Sequence, residues 1–89
     1  MQTTIHPSSQ KAAEEIYLCF GSSVRTIRRA RNMTQAELAT VAGMNKTYLV
    51  RIEGGDKNLT LKTAQKLACA LDMELTTLLK GVTVTIEGL

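Results

Sequence analysis

The sequence predicts an all-α domain, both from its composition and from the spacing of its apolar residues. The 89 residues suffice for one domain with one modest core. Aromatic residues make up only 3% of the chain and tryptophan is absent, so the core must be aliphatic, which favours helices packed through Ala and Leu. The apolar spacing predicts a disordered leader in residues 1–8, one helical domain in residues 9–81 and a strand-like tail in residues 82–89.

The first predicted helix covers residues 9–31, either as one long helix or as two that abut at Gly21. Ser8 or Ser9 can cap its start. Its apolar stripe consists of Ala12, Ala13, Ile16, Phe20, Val24 and Ile27. Asn32 follows the helix, and Asn tolerates the left-handed conformation in which many helices end. We therefore expect an N-terminal helical extension joined directly to the domain.

Two short helices come next, with a single glycine, Gly43, between them. Thr34 opens the second helix in a capping box with Glu37, and Gly43 ends it by supplying the positive φ of a tight turn. Asn45 then caps the third helix. The inward-facing residues are predicted to be Leu38, Ala39, Val41, Ala42, Met44, Leu49 and Ile52. The break at Gly43 turns the third helix away from the second.

A polar, glycine-rich loop over residues 53–58 precedes two more predicted helices. Thr60 caps the fourth helix, and Glu74 opens the fifth without the usual Ser or Thr cap. The apolar face of the fourth helix consists of Leu61, Ala64, Leu67, Ala68 and Leu71, and that of the fifth consists of Leu75, Leu78 and Leu79. The fifth helix is expected to end at Gly81.

In the tail, the spacing of the apolar residues changes from a helical period to alternation. Val82, Val84 and Ile86 alternate with polar residues, which predicts a strand. A lone strand in a helical protein has no partner for its backbone, so it either pairs with its copy in a second chain or remains a loose tail.

The cations are concentrated in the middle of the chain. Residues 25–66 contain nine Lys and Arg residues against three acids, a net charge of +6 in a chain whose total is +3. A basic centre flanked by acidic ends indicates a polyanionic partner at one surface. The alternative, a merely solvated charged exterior, remains open at this point.

The third helix carries the most specific functional signal. Its outward positions hold Lys46, Thr47, Val50 and Arg51, with Tyr48 at the edge. A helix turned outward by its neighbour in this way enters the DNA major groove, about 12 Å wide, in the helix-turn-helix motif. The sequence therefore predicts that Gly43 aims a DNA-reading helix.

Residues 20–79 resemble the Cro and phage-repressor type of helix-turn-helix domain, also called the xenobiotic-response-element family. The matching segments are V-R-T-I-R at 24–28, M-T-Q-A-E-L-A at 33–39, A-G-M at 42–44, L-V-R-I-E at 49–53, L-K-T-A-Q-K-L at 61–67 and L-T-T-L-L at 75–79. Within this family, N-K-T-Y-L-V-R-I-E followed by K-N-L-T is similar to the homodimeric controller proteins of restriction–modification systems. The fold implied is a five-helix Cro/repressor-like domain.

The resemblance implies a role for each matching residue. Bases would be read by Lys46, Thr47, Tyr48, Val50 and Arg51. Phosphates would be contacted by Gln35, Asn45, Lys57, Asn58 and Thr60. Arg28 and Glu53 match a salt bridge that orients the third helix. Apart from the resemblance, the apolar residues of the last two helices predict a dimer surface of Leu71, Leu75, Leu78 and Leu79, which the tail could extend through Val82, Val84 and Ile86. Two readings stay open: Tyr48 packs within its own subunit, and Asn58 serves only the turn.

The expected function is that of a homodimeric transcription regulator on a near-palindromic operator, with RNA polymerase as a further partner if it recruits polymerase. Two alternatives remain: an antitoxin-type autoregulator with a toxin-like partner, and an interaction module whose third helix grips protein. No enzyme, metal or cofactor is expected, because His6 is the lone histidine and no acid pair or phosphate-binding glycine loop is present. Neither a signal segment nor a membrane span is expected, so we predict a cytoplasmic protein with Cys19 and Cys69 as buried free thiols.

Overall fold

Within the residues that the structure describes, the protein forms five helices and no strand, which confirms the predicted all-α class. The structure is a computed structural model that describes the backbone of residues 7–80 and the side chains of residues 14–80. The helices are α1 (Pro7–Ala30), α2 (Gln35–Ala42), α3 (Lys46–Glu53), α4 (Leu61–Ala70) and α5 (Leu75–Leu79). The predicted strand of residues 82–89 lies outside the described residues.

Helix α1 is one continuous helix, which decides between the two predicted arrangements. It begins at Pro7, two residues earlier than expected, so Ser8 and Ser9 lie inside its first turn. It continues through Gly21, and the carboxyl end of α3 packs against α1 at this residue. A Cβ at Gly21 would collide with the backbone carbonyl oxygens of Ile52 and Glu53, the latter 2.6 Å away. Glycine therefore permits the closest approach between these two helices.

The core is aliphatic, as the composition predicts, and is drawn from all five helices. Phe20 is its single aromatic residue and one of its largest fully buried side chains. The buried apolar residues are Phe20, Val24, Leu38, Ala39, Ala42, Leu49, Ile52, Ala64, Leu67, Ala68, Leu71 and Leu78. This core holds α3 between α1 and α2 and leaves its outer side uncovered.

Two residues predicted on inward faces are exposed instead. Val41 is 61% exposed because α2 turns Leu38, Ala39 and Ala42 inward, and Val41 lies about 100° around the helix from that face. Leu61 is 75% exposed because it is the first residue of α4 and precedes Ala64, the first core residue, by one turn.

The predicted dimer surface is wrong at two positions. Leu71 is 1% exposed and Leu78 is fully buried, so both belong to the core of a single chain. They stabilise the packing of α4 and α5 on the domain, and neither is available to a second subunit. Leu79 is 36% exposed and Leu75 is half-buried, while Val82, Val84 and Ile86 lie outside the described residues.

The prediction of two buried thiols is also wrong in part. Neither cysteine forms a disulfide, but Cys69 is exposed and Cys19 is half-buried. Cys69 follows the core residue Ala68 and therefore faces away from the core. Gln65 Nε2 lies 3.4 Å from its sulfur and donates to it. None of the helices in the described residues has the length and apolar composition that crossing a membrane needs.

The first four helices all end in the same backbone arrangement, the Schellman motif. Each ends one or two residues before a residue with positive φ, and the amide of the residue after that one donates to a carbonyl five positions back. The positive-φ residues are Asn32, Gly43, Gly55 and Asp72. The residues that follow them are Met33, Met44, Asp56 and Met73. The predicted left-handed end at Asn32 is thereby confirmed.

Candidate nucleic-acid interface

Helix α3 is oriented by the turn before it. Gly43 has φ 72° and ψ 35°, and Met44 N donates to Ala39 O at 2.9 Å, so α2 closes and the chain reverses within three residues. The Asn45 side chain then accepts from Tyr48 N at 2.7 Å and starts α3. Thr34 and Glu37 fix the other end of α2 through the predicted capping box. The two helices therefore have defined starts and a defined angle.

The two sides of α3 differ as the sequence predicts. Leu49 and Ile52 point into the core. Lys46, Thr47, Val50 and Arg51 are exposed. Positions i, i+1, i+4 and i+5 share one side of a helix, so these four side chains form a single outward surface.

Tyr48 stands at the edge of that surface and is half-buried against the core. Its hydroxyl lies 3.4 Å from Thr63 Oγ1, within hydrogen-bond distance. The structure thus shows the packing within its own subunit that the sequence left open. A base-reading role for Tyr48 stays a prediction.

Glu53, the last residue of α3, anchors the helix to the rest of the domain. Its buried carboxylate accepts from Arg28 Nε at 2.7 Å and from Arg28 Nη2 at 3.2 Å. Gln35 Nε2 donates to the same carboxylate at 3.0 Å, and Arg25 Nε lies 3.6 Å from it. The predicted Arg28–Glu53 salt bridge is therefore present and ties α1, α2 and α3 together.

The partners of Glu53 outweigh the effect of burial on the pKa of its carboxyl. Burial by itself raises the pKa of this carboxyl, but hydrogen bonds from Arg28 and Gln35, and then the charges of Arg28 and Arg25, lower it below the ordinary 4.5. Sequence reasoning missed Arg25 and Gln35 as members of this cluster. The signal for Arg25 was its spacing, since a residue three positions before Arg28 shares a helix face with it.

The residues predicted to contact phosphate lie around the two ends of the exposed surface. Thr60 caps α4 through Thr63 N at 3.1 Å, and Asn58 N donates to Asp56 Oδ1 at 2.8 Å in a turn. Lys57 Nζ lies 3.1 Å from Glu14 Oε2 in an exposed ion pair. Gln35 donates to Glu53, and because its amide has two hydrogens, one remains for another acceptor. Their phosphate contacts stay predictions.

Arg51 has a neighbour that the sequence did not suggest. Its guanidinium Nη2 lies 3.5 Å from Asp56 Oδ2, with the Arg51 side chain 62% exposed and the Asp56 side chain 7% exposed. The available signal was position, because Asp56 follows the left-handed Gly55 and such residues pack back on the helix they end.

Among the described residues, no group of His, Cys, Asp and Glu is arranged to hold a metal ion.

The sequence of these helices matches a known protein family. The family described as helix-turn-helix matches residues 24–78, a segment that runs from α1 through α5 and contains the whole of α2 and α3. The chain belongs to this family. It is a DNA-binding transcription regulator of the helix-turn-helix type, as the resemblance implied.

Two relatives and one solved structure show which members of this family the chain resembles. The chain is 37% identical to control protein C.BamHI of Bacillus amyloliquefaciens, over 78% of this chain and 86% of that protein. It is 32% identical to control protein C.SmaI of Serratia marcescens, over 82% and 87% respectively. Its structure is similar to that of the restriction-modification controller protein C.AhdI from Aeromonas hydrophila, with a TM-score of 0.67 and 35% identity over 70% of this chain and 94% of that one.

Proposed function

We propose that the chain is a homodimer that controls transcription by reading a near-palindromic operator with α3, in the manner of a restriction–modification controller. The observation that carries the proposal is the division of α3 into a buried side and an outward side of Lys46, Thr47, Val50 and Arg51. The controller assignment is supported by the control proteins that the chain resembles along most of its length.

Each outward side chain suits a base edge. Lysine donates to guanine O6 and N7, and threonine offers both a hydroxyl and a methyl group. Val50 suits the methyl group of thymine, and the fork of Arg51 suits guanine. The side chains stand on a helix fixed at one end by Asn45 and at the other by Glu53, so they would reach the groove in one register.

The predicted phosphate contacts support the same orientation. Thr60 presents the amino-terminal end of α4, where free N–H groups and the helix dipole favour an anion. Gln35 and Asn45 stand at the amino-terminal ends of α2 and α3, which favour an anion in the same way. Lys57 adds a cation once its exposed ion pair with Glu14 opens. Asn58 stands beside Lys57 in the loop. These contacts would hold the protein on the duplex without selecting sequence.

Two copies are needed for a palindromic site. Their reading helices would lie about 34 Å apart, one turn of DNA. Leu75 and Leu79 of the predicted dimer surface remain available, and the exposed Ile16 and Leu61 stand beside Leu79 around one shallow groove. We infer that this groove lies in the interface. We expect the protein to act in the cytoplasm, because bacteria, in which the relatives occur, keep their DNA there. Binding DNA requires no catalysis, so the proposed function involves no enzymatic activity.

The test is a selection of bound sites from random DNA with the full chain. We expect enrichment of sites with two inverted half-sites whose centres are about one helical turn apart. Enriched sites without a dyad would contradict the homodimeric reading, and no enrichment at all would contradict sequence-specific binding. Lys46→Ala should lose the preference at one position of each half-site. The matched control is Lys80→Ala, which removes an exposed lysine after α5.

Arg51→Ala completes the test of α3. We expect a relaxed base preference at one position of each half-site and a loss of ~1–3 kcal/mol in binding free energy. Competition between operators that differ at single base pairs measures both. An unchanged preference at every position would remove Arg51 from the reading surface while leaving the role of Lys46 intact.

A further inference from the structure

The end of α3 departs from the other three Schellman ends in one respect. In this motif the residue after the left-handed position folds back on the helix and usually makes an apolar contact. Met33, Met44 and Met73 do this, and all three pack against the core. The corresponding residue of α3 is Asp56, a carboxylate. The exception thus falls on the helix that carries the outward surface.

Asp56 is held in place from two directions. Its N–H donates to Arg51 O at 3.0 Å, which closes the motif, and its Oδ1 accepts from Asn58 N at 2.8 Å. The other oxygen, Oδ2, is buried and has no hydrogen bond within the part of the chain that the structure describes. It faces Arg51, whose Nη2 lies 3.5 Å away. A fixed carboxylate therefore stands beside a long, exposed side chain of the outward surface.

The pairing limits where the Arg51 guanidinium can go. A free arginine loses much rotamer freedom when it binds a base, and a group that is ordered beforehand loses less. The guanidinium has five N–H donors in a planar fork, so one edge can face Asp56 while the other remains free. Because the Arg51 side chain is largely exposed and the two atoms are 3.5 Å apart, the pair adds little to folding stability. Its effect would fall on recognition.

We infer that Asp56 is a positioning residue for base reading: it holds the guanidinium of Arg51 so that its free edge meets a guanine in the major groove. This inference rests on the proposed function of α3. A carboxylate next to that helix also repels phosphate, so it weakens binding to DNA of any sequence. Both effects raise the ratio of specific to non-specific affinity.

The experiment uses Asp56→Asn in the full chain. Asparagine keeps the oxygen that accepts from Asn58 N and nearly the same volume, but it removes the charge facing Arg51. Binding is measured for the selected operator, for each single base-pair change in it, and for random DNA. We expect discrimination to fall by about tenfold at a single position of each half-site, the position that Arg51→Ala also affects. Affinity for random DNA should stay the same or rise.

The double variant and a charge control separate the explanations. In an Arg51→Ala background, Asp56→Asn should change discrimination no further. Asp72→Asn removes the same charge from another helix end and should leave the base preference unchanged. If Asp56→Asn unfolds the chain, Asp56→Ser supplies a shorter acceptor for the same turn.

Three results would overturn the inference. One is a uniform change in affinity at all base pairs, which a general electrostatic effect would give. Another is a change at a position different from the one Arg51→Ala affects. The third is a retained preference in Asp56→Asn while Arg51→Ala loses it, which refutes the role of Asp56 alone. If Arg51→Ala itself keeps every preference, the assigned role of Arg51 in the proposed function fails, and the inference about Asp56 fails with it.

Discussion

At the scale of single residues, Glu53 links the fold to the outward surface. It is an acid at the carboxyl end of a helix, where the helix dipole disfavours it, and it is buried. Arg28 compensates with two donors, and Gln35 and Arg25 add their own contacts. The direction of α3 therefore depends on a charge cluster as well as on apolar packing.

Removal of Arg28 should be costly. Arg28→Ala leaves Glu53 buried without its closest cation, and breaking a buried pair in this way costs about 3 kcal/mol of unfolding free energy. Urea unfolding followed by circular dichroism measures it. Arg25→Ala is the matched control, because Arg25 is partly exposed and lies farther from the carboxylate, so its loss should be much smaller. Equal losses for the two variants would show that the cluster does not depend on the Arg28 contact.

Glu53 also predicts how stability changes with pH. Its folded pKa lies below its ordinary 4.5, so in acid the unfolded chain binds a proton before the folded one. The stabilisation is fully present above 4.5 and is lost as the pH falls through the lowered pKa. Unfolding midpoints measured from neutral pH downward should show this decline. In Glu53→Gln the part of the decline due to this group should disappear, and an identical decline in both proteins would assign it to other acids.

At the scale of elements, the junction of α1 and α3 depends on one missing side chain. Gly21→Ala would place a Cβ against two backbone carbonyls, and these can move only if α3 moves with them. Such overpacking costs about 1–3 kcal/mol. The melting temperature should drop accordingly. Gly54→Ala is the control, because its nearest contacts are at 3.5 Å and its φ is negative, so it should change stability far less.

The elements were largely predictable, because most of their starts and stops have a local cause. Thr34, Asn45 and Thr60 cap helices by their own side chains, and Gly43 ends one by its own backbone. The outward surface of α3 followed from helical period alone. The burial of residues at the edge of an apolar face did not follow from the period. Val41 was predicted to be inward but is exposed, because the direction in which an eight-residue helix faces the core is set by its neighbours.

The site was less predictable wherever long-range contacts decide it. The Arg28–Glu53 pair came from a family resemblance, while Arg25 and Gln35 join it only once α1, α2 and α3 are packed together. Asp56 faces Arg51 because the turn after α3 folds back, and the position of Asp56 becomes informative only once Gly55 is known to be left-handed. Leu71 and Leu78 have the apolar character of an interface, but the chain needs them for its own core.

At the scale of the whole molecule, the basic centre of the chain predicts how binding responds to salt. Each subunit would contact phosphate with one cation, Lys57, while Lys46 and Arg51 enter the groove between the phosphates, so the logarithm of affinity should fall as the logarithm of salt concentration rises, with a slope of about −2 or steeper. Lys57→Ala should reduce the slope by about two, whereas Lys80→Ala should leave it unchanged. An affinity that does not respond to salt would contradict a phosphate-bound complex.

The dimer gives the last prediction. Leu79 is 36% exposed beside Ile16 and Leu61, so Leu79→Asn should leave the subunit folded and weaken its pairing. Sedimentation should then show monomers at concentrations where the unaltered chain is dimeric, and the full operator should be bound no more tightly than a half-site. Val41→Asn is the control, because Val41 is an exposed apolar residue on α2 that does not line that groove. If Leu79→Asn remains dimeric while folding normally, the pairing surface lies elsewhere on the molecule.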